Sequence, residues 1–448
     1  MTFTQNQKEL LVLAWPIIMG QLSQMTINIT DAIMVGRLGH VELASSSLML
    51  SIISIPSFSI VGISYLIASL TATRRGQGKA NQCASILYNC GTTTVLIALF
   101  ISIILTILFP LIYKLGQQDI VINLGKEFFL WITWSIVPMV IFLSIKQFYD
   151  GLELTRIPML LSTSSIFINI ILNYILIYGC SNIKPMGLEG SGLASFITRT
   201  LICILLITHL LSNKLLLQYG IKNFKISWIE IKAFLKLALP TSWQYTSEVA
   251  AFSVLAIISG WYGSEQQASH QIAITIAAFT YVIFVGFSSA SAIKIGEAYG
   301  KNNFQEIQNI SKDAIKISFV MATTTLTILF ITKYYIATLF NSNSEVIYIT
   351  SNLLIFAAIF QYSDSLQALS VGMLRGIQDI RIPTLYTTIS YWIIGLPAGY
   401  FLAEYFQWKV YGIWTGFILC LTISAVLLLY RFYKITRIKE KNLTTFLY

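Results

Sequence analysis

Charged residues are scarce in this chain. Only 11% of its 448 residues are charged, whereas 56% are apolar. Soluble domains carry about twice that share of charge, so the composition excludes a soluble protein and indicates a polytopic membrane protein. The net charge of +10 does not indicate a nucleic-acid partner, because basic residues of membrane proteins mostly mark their cytoplasmic loops.

The residues that serve most enzyme and metal chemistries are also few. The three histidines and five cysteines show no ligand spacing, and no glycine-rich phosphate loop precedes a Lys-Ser or Lys-Thr pair. We therefore predict that the protein is not an enzyme and holds no resident cofactor. A polytopic membrane transferase or hydrolase remains an alternative, and it would need His, Asp or Cys clustered at a membrane face.

Long apolar runs dominate what is present. Each run is long enough to cross a hydrocarbon core of about 30 Å at about 1.5 Å per residue. The sequence predicts an all-α protein with twelve transmembrane helices at 10–36, 43–72, 83–109, 121–144, 157–180, 189–212, 234–262, 266–293, 311–332, 345–371, 383–404 and 409–432.

The two halves of the chain are copies of one another. About a quarter of positions 13–76 are identical to the residues found 224 positions later, which is the mark of an internal repeat. The repeats predict an N-lobe at 1–213, a cytoplasmic linker at 214–232 and a C-lobe at 233–448. Because each lobe has six helices, both enter from the same side and are related by an axis along the membrane normal.

Basic residues set the expected orientation. They concentrate before the first helix, after each even-numbered helix and in the tail, and the opposite face holds only Arg37, Lys114, Lys184, Lys333 and Lys409. This bias places both termini in the cytoplasm. We expect a multi-pass protein of the bacterial inner membrane that acts as a monomer.

A few ionisable residues lie deep within the predicted helices. Glu248 and Asp364 are near the middle of theirs, and Asp31 and Arg199 belong to the first lobe. A carboxylate at such depth is costly unless it is protonated, paired or bound to a cation. Since Glu248 aligns with Gln24 and Asp364 with Met139, the two deep acids belong to the second lobe alone. A protonated acid that merely bonds a neighbouring helix is the structural alternative.

Polar and aromatic residues near these acids are consistent with a solvated cavity. They are Gln244, Tyr245, Gln271, Tyr281, Gln361 and Tyr362. Each of them taken singly is more often a packing residue than a ligand. Together with the acids they favour a cavity that accepts an amphiphilic cation.

At these residues the chain resembles the multidrug and toxic compound extrusion (MATE) transporters, and among them the NorM branch. The resemblance covers essentially the whole chain. It depends on Leu13-Ala14-Trp15-Pro16, on the run DAIMVGRLG at 31–39, and on a loop in which Gly151, Arg156 and Pro158 recur as Gly376, Arg381 and Pro383.

The resemblance implies a set of functional residues. Glu248 and Asp364 would bind the coupling ion, with Na⁺ as the metal if the protein is sodium-coupled, and Gln271 and Tyr281 would line the substrate cavity. Asp31 would belong to a first-lobe site together with Asn169 and Asn173. Other branches carry an aspartate where this chain has Asn173, so the first-lobe site is poorer in charge.

These observations predict a secondary antiporter that exports organic cations in exchange for Na⁺ or H⁺ by alternating access. A flippase for lipid-linked precursors is the alternative from the same larger group. It would need several basic residues facing its cleft to bind a pyrophosphate, and bases within the spans are few. A receptor or structural role would leave the intramembrane acids unexplained. The sequence does not distinguish Na⁺ from H⁺ or name the natural substrate.

Overall fold

The computed structural model describes residues 4–180, 183–222 and 225–446. Residues 1–3 and 181–182 of the predicted N-lobe, 223–224 of the predicted linker and 447–448 of the predicted C-lobe lie outside these ranges. The described residues form helices and no β-strand, apart from an isolated bridge between Cys180 and Ile183. This agrees with the predicted all-α class.

The described ranges contain twelve long helical segments, in the order the sequence predicts. In chain order they are α1 Gln5–Gly36, α2 His40–Gly76, α3 Ala80–Lys114, α4 Asp119–Gly151, α5 Arg156–Tyr178, α6 Leu188–Ser212, α7 Trp228–Gly260, α8 Ser264–Gly300, α9 Phe304–Phe340, α10 Ser344–Gly376, α11 381–405 and α12 Val410–Phe446.

Ten of these segments are long and apolar enough to cross a membrane, among the residues the structure describes. The other two are α7 and α11, which match the predicted spans at 234–262 and 383–404. Segment α7 has 33 residues and is therefore about 50 Å long. Segment α11 contains a π-helical turn at Ser390–Gly395. Large exposed side chains on the helices, such as Ile331 at 74%, suit contact with lipid tails.

The chain divides into two compact units by its internal contacts. One, here named the N unit, contains residues 19–242, and the other, the C unit, contains residues up to 18 and from 243 onward. Under the 224-residue shift, Ile18 corresponds to Ser242, so both boundaries fall at the same point of the repeat. Helices α1 and α7 therefore supply residues to both units. The lobe limits predicted at 1–213 and 233–448 are drawn at different residues and stay a prediction.

Prolines lie inside the two helices that carry these boundaries. Pro16 is an interior residue of α1 and Pro240 of α7. A proline within a helix removes one backbone hydrogen bond and permits a bend at the preceding turn. Each proline stands two residues before the unit boundary of its helix.

The core of the N unit is aliphatic with a few phenylalanines. Met49, Ile60, Phe129, Ile136 and Val140 are fully buried members of one cluster, to which α1, α2, α3, α4 and α6 all contribute. The core of the C unit is more aromatic. There Phe360, Trp414 and Phe417 pack edge-to-face within 6.2 Å between ring centroids, a geometry that ring quadrupoles favour.

The predicted linker is partly folded and is held against the N unit. Lys214–Tyr219 forms a short 3₁₀ turn, and α7 begins at Trp228, six residues before the predicted span. Asn89 accepts a hydrogen bond from the Ser227 backbone at 2.7 Å and donates to Glu230 at 2.8 Å. Arg74 also pairs with Glu230 at 2.9 Å. The segment is therefore anchored.

Candidate functional site

A polar cavity of about 350 Å³, open in part to its surroundings, lies in the C unit between α7, α8 and α10. Glu248 of α7 lines it, twelve residues and thus about 18 Å from the end of the helix at Gly260. The Glu248 carboxylate accepts hydrogen bonds from the hydroxyl groups of Tyr391 at 3.2 Å and Tyr281 at 3.5 Å. Uncharged donors on two other helices thus hold the predicted acid.

The hydroxyl group of Tyr391 has a second partner. Its oxygen lies 2.9 Å from Oε1 of Gln367, and both side chains are buried. Tyr391 belongs to the π-helical turn of α11, and Gln367 lies on α10, where it also lines the cavity. Three helices therefore meet at this one hydroxyl group.

Asp364 is buried one turn before Gln367 on the same helix. Only 2% of it is exposed, and its Oδ2 atom has no hydrogen-bond partner. The negative charge of Glu248 acts on it and no basic group is among its electrostatic partners. A buried carboxylate oxygen without a partner is expensive, and a bound proton or cation removes that cost.

The two acids are not neutralised by an ion pair. Among the residues that the structure describes, neither Glu248 nor Asp364 lies within 4 Å of a lysine or arginine nitrogen. The one guanidinium group that lines the cavity, that of Arg375, donates to the Tyr245 hydroxyl at 2.9 Å. The arrangement predicted from the sequence, two acids without a basic partner, is therefore present.

The N unit brings together the other predicted polar residues. Asn173 donates to Oδ1 of Asp31 at 2.5 Å, and the same amide nitrogen lies 3.0 Å from Oδ1 of Asn169. Ser195 of α6 donates to the second Asp31 oxygen at 3.1 Å. Both oxygens of this carboxylate therefore have a donor, unlike those of Asp364.

A basic residue accompanies Asp31 in the N unit. Arg199 is attracted electrostatically to Asp31 and donates to the Ser135 hydroxyl at 2.6 Å. A small cavity beside it is lined by Gln24, Asn169, Ser195 and Arg199, among others. Gln24 is the repeat partner of Glu248, so the same position lines a cavity in each unit. The N-unit site therefore contains both a negative group, Asp31, and a positive group, Arg199.

Some of the residues predicted for the substrate cavity line the C-unit cavity, and others do not. Gln244, Tyr245 and Tyr281 line the C-unit cavity together with Glu248. Gln271 is exposed on α8 and is not part of that lining. Gln361 is fully buried, one turn before Asp364, and neither atom of its amide has a hydrogen-bond partner.

Sequence reasoning missed Tyr391, Gln367 and Ser195. Tyr391 and Glu248 are 143 residues apart, and Ser195 and Asp31 are 164 apart, so only the packing of the helices joins them. The i, i+3 spacing of Asp364 and Gln367 on one helix face was the available signal for the glutamine. The part of the chain that the structure describes contains no group of three or more His, Cys, Asp or Glu residues that could hold a metal ion.

Long apolar helices in a duplicated body, with polar cavities inside each unit, define a multi-pass membrane protein. The chain belongs to the MATE family. The MatE family profile matches it twice, at residues 16–175 and 240–401. The two matches begin 224 residues apart, which is the repeat shift read from the sequence.

Similar proteins agree with this assignment. The chain is 28% identical over 445 residues to the probable multidrug resistance protein NorM of Mesorhizobium japonicum, covering 97% of this chain and 95% of that protein. It is 28% identical over 441 residues to the NorM protein of Bacillus subtilis, covering 97% and 98%.

A solved structure has the same fold. It is the outward-facing conformation of a multidrug resistance MATE family transporter, which superposes with a TM-score of 0.89 at 19% identity and covers 98% of this chain and 100% of that one. The chain is therefore a NorM-like membrane transporter of the MATE family and not an enzyme.

Proposed function

We propose that the protein exports organic cations across the bacterial inner membrane in exchange for Na⁺ or H⁺. The observation that carries the proposal is the pair of C-unit acids, in which Asp364 has an unpartnered buried oxygen and Glu248 accepts its described hydrogen bonds from two tyrosine hydroxyl groups. Such a pair favours an exchangeable positive charge over a permanent counter-ion. The names of the relatives as multidrug resistance proteins support drugs as the cargo.

Exchange requires that the ion and the cargo do not bind the same conformation of the protein with equal affinity. A ligand that binds both conformations with the same affinity shifts no equilibrium. In the proposed cycle the ion enters from outside, binds at Glu248 and Asp364, and neutralises the charge that retains the organic cation. The cargo then leaves outward, and the ion departs to the cytoplasm before the next cargo binds. Each inward positive charge supplies about 2.3 kcal/mol per 100 mV.

The chemistry of the C-unit cavity suits an amphiphilic cation. Glu248 supplies negative charge, and Tyr245 and Tyr281 supply aromatic faces that attract cations. Arg375 occupies the same cavity and bonds Tyr245. One guanidinium group is a poor match for a pyrophosphate, which binds several basic groups, so the cavity favours drug export over the flippase alternative.

Export in cells tests this function. Cells that lack their own efflux pumps would express the protein and be loaded with ethidium, and fluorescence loss would report efflux. We expect efflux with the wild type and its loss with Glu248→Gln or Asp364→Asn. Glu265→Gln is the matched control, because Glu265 lies at the start of α8 and bonds Ser264. Undiminished efflux by both acid variants would remove the proposed site.

The expected orientation and assembly belong to the same proposal. The bias of basic residues places both ends of the chain in the cytoplasm, and one chain contains both units, which suits a monomer. A reporter that is active only in the cytoplasm, fused at the C-terminal end, should be active. A mass measurement in detergent should give the mass of one chain.

A further inference from the structure

The beginning of α7 and the segment before it carry charge of almost one sign. Between Asn213 and Pro240 the chain has five lysines and a single acidic residue, Glu230. The lysines are all exposed, and they are Lys214, Lys222, Lys225, Lys232 and Lys236. Among the residues that the structure describes, none of the five lies within 4 Å of a carboxylate oxygen. This part of the surface is therefore positive and has no counter-charge of its own.

The single acid points the other way. Glu230 accepts hydrogen bonds from Arg74 of α2 at 2.9 Å and from Asn89 of α3 at 2.8 Å. Phe234 and Ala238 follow it at intervals of four residues, so they lie on the same face of α7, and both are buried. Glu230 therefore fixes this face of α7 against the N unit, and the opposite face is turned outward.

Large apolar side chains share the outward face with the lysines. Trp228 and Ile229 are 78% and 83% exposed, and Lys232 and Lys236 follow them at spacings of three and four residues. Ile226, just before the helix, is 63% exposed. Exposed apolar residues among basic ones are typical of a surface that binds a membrane. We name this the α7 basic surface, and its residues are Lys225, Ile226, Trp228, Ile229, Lys232 and Lys236.

The position of this surface along α7 corresponds to the level of lipid headgroups. The predicted span begins at residue 234, so Trp228 lies about 9 Å before it at about 1.5 Å per residue. A tryptophan suits that level because its ring is apolar and its N–H is polar. A lysine suits it because a long apolar stem carries the charge to the phosphates. In the proposed orientation this end of α7 is cytoplasmic, and the cytoplasmic leaflet has a negative surface potential.

We propose that the α7 basic surface binds the headgroups of anionic phospholipids. The lysines contact the phosphates, and Trp228 and Ile229 insert at the boundary between headgroups and acyl chains. The inference does not depend on the ion site or on export. Its consequence concerns α7 itself: Pro240 lies between this surface and Glu248 along the helix. A bound lipid therefore holds the part of α7 that precedes the proline, and Glu248 lies on the part that follows it.

Fluorescence quenching by brominated lipids tests the proposal on the full chain. The protein is placed in phosphatidylcholine vesicles that contain an equal fraction of brominated phosphatidylglycerol or of brominated phosphatidylcholine. The difference between the wild type and Trp228→Phe gives the signal of Trp228. We expect phosphatidylglycerol to associate at least about fivefold more strongly, which is the effect of one lysine near a charged surface. The preference should fade between about 0.1 M and about 1 M salt, because the screening length falls from about 10 Å to about 3 Å.

Two matched pairs of lysines separate recognition at this surface from a general effect of charge. Lys232→Gln with Lys236→Gln should remove most of the preference. Lys301→Gln with Lys316→Gln changes the net charge equally and should keep it, since each of these two lysines already lies within 4 Å of a carboxylate oxygen. Equal quenching by the two lipids, or an equal preference in the two double variants, would overturn the inference.

The remaining outcomes identify other occupants of the surface. A Trp228 signal that neither lipid quenches would overturn the inference, and a mass of two chains would then assign the surface to a second copy of the protein. Ethidium efflux measured on the same variants keeps the two proposals apart. A lipid preference that behaves as expected in a protein without efflux would contradict the proposed function and leave the lipid site in place.

Discussion

Glu248 and Gln24 occupy the same position in the two repeats, and each lines a cavity of its own unit. The glutamine carries no charge to be neutralised, whereas the glutamate does. In the N unit the charged group is instead Asp31, whose two oxygens accept from Asn173 and Ser195 and whose charge is balanced by Arg199. The same repeat position therefore lines a cavity in each unit, while the two deep acids without an ion pair among the described residues lie in the C unit alone.

This asymmetry predicts unequal effects of removing each charge. Glu248→Gln should lower the steady-state ethidium gradient of driven proteoliposomes by about fifty-fold at 100 mV, because the energy of one coupled charge is lost. Asp31→Asn should lower it by less than about tenfold, because both Asp31 oxygens already accept hydrogen bonds and Arg199 attracts the carboxylate. Equal losses in the two variants would contradict the assignment of the coupling ion to the C unit.

A buried ion pair near the end of α4 provides a stability prediction. Lys146 and Asp150 lie 2.7 Å apart with 6% and 2% of their side chains exposed. Lys146→Met leaves the carboxylate buried without a partner, which should cost about 3–5 kcal/mol of unfolding free energy. Replacing both residues, Lys146→Met with Asp150→Leu, should recover most of that loss. Denaturation in detergent micelles measures the unfolding free energy of both variants. A double variant as unstable as Lys146→Met would show that the unpaired Asp150 carboxylate is not the cause of the loss.

Close packing of small residues between α11 and α12 makes a second stability prediction. A Cβ atom at Gly416 would lie 2.5 Å from the Cα atom of Gly399, so the two backbones touch. Gly416→Ala should therefore lower the unfolding free energy by about 1–3 kcal/mol. Gly36→Ala, whose Cβ would meet nothing closer than 3.8 Å, is the control and should be nearly neutral. Thermal unfolding of the two variants measures the difference, and equal stabilities would contradict the close packing of α11 and α12.

The anchored linker predicts a change in protease sensitivity. Asn89 accepts a hydrogen bond from the Ser227 backbone N–H and donates one to the Lys225 backbone oxygen at 3.2 Å. Asn89→Ala removes both bonds, so it should free this segment and speed trypsin cleavage after Lys225. Thr92 lies one turn further along α3, and its hydroxyl group donates to the Tyr88 backbone oxygen. Thr92→Ala is therefore the control and should leave the cleavage rate unchanged. Equal cleavage of the two variants would show that Asn89 does not hold the linker.

Much of the fold was predictable because lipid imposes a simple pattern on a chain. The twelve helical segments follow from apolar runs of sufficient length, whereas Asn169 and Asn173 were implied by the resemblance to the MATE family. The unit boundaries at Ile18 and Ser242 were not predicted. Both halves of each of these helices have a similar composition, so the sequence does not show which unit each half contacts. The folded linker was missed because its anchor, Asn89, is an isolated residue of α3 far away in the sequence.

The candidate site was predictable to the extent that charge is conspicuous in an apolar chain. Glu248, Asp364 and Asp31 were identified because a carboxylate among apolar residues is unusual. Tyr391 and Gln367 were not, because tyrosines and glutamines are common near helix surfaces and only tertiary packing shows which of them faces an acid. Gln271 is not part of the lining of the C-unit cavity, and its predicted place in a substrate cavity stays a prediction.

Competition between ion and cargo at Glu248 and Asp364 is the central claim, and equilibrium binding measures it most directly. Purified protein would be titrated with ethidium over a range of pH, and separately over a range of Na⁺ concentrations. The account predicts that ethidium affinity falls as the coupling ion increases, and that this dependence disappears in Glu248→Gln and in Asp364→Asn. An affinity that is independent of both ions in the wild type, or a dependence that persists in both variants, would contradict it.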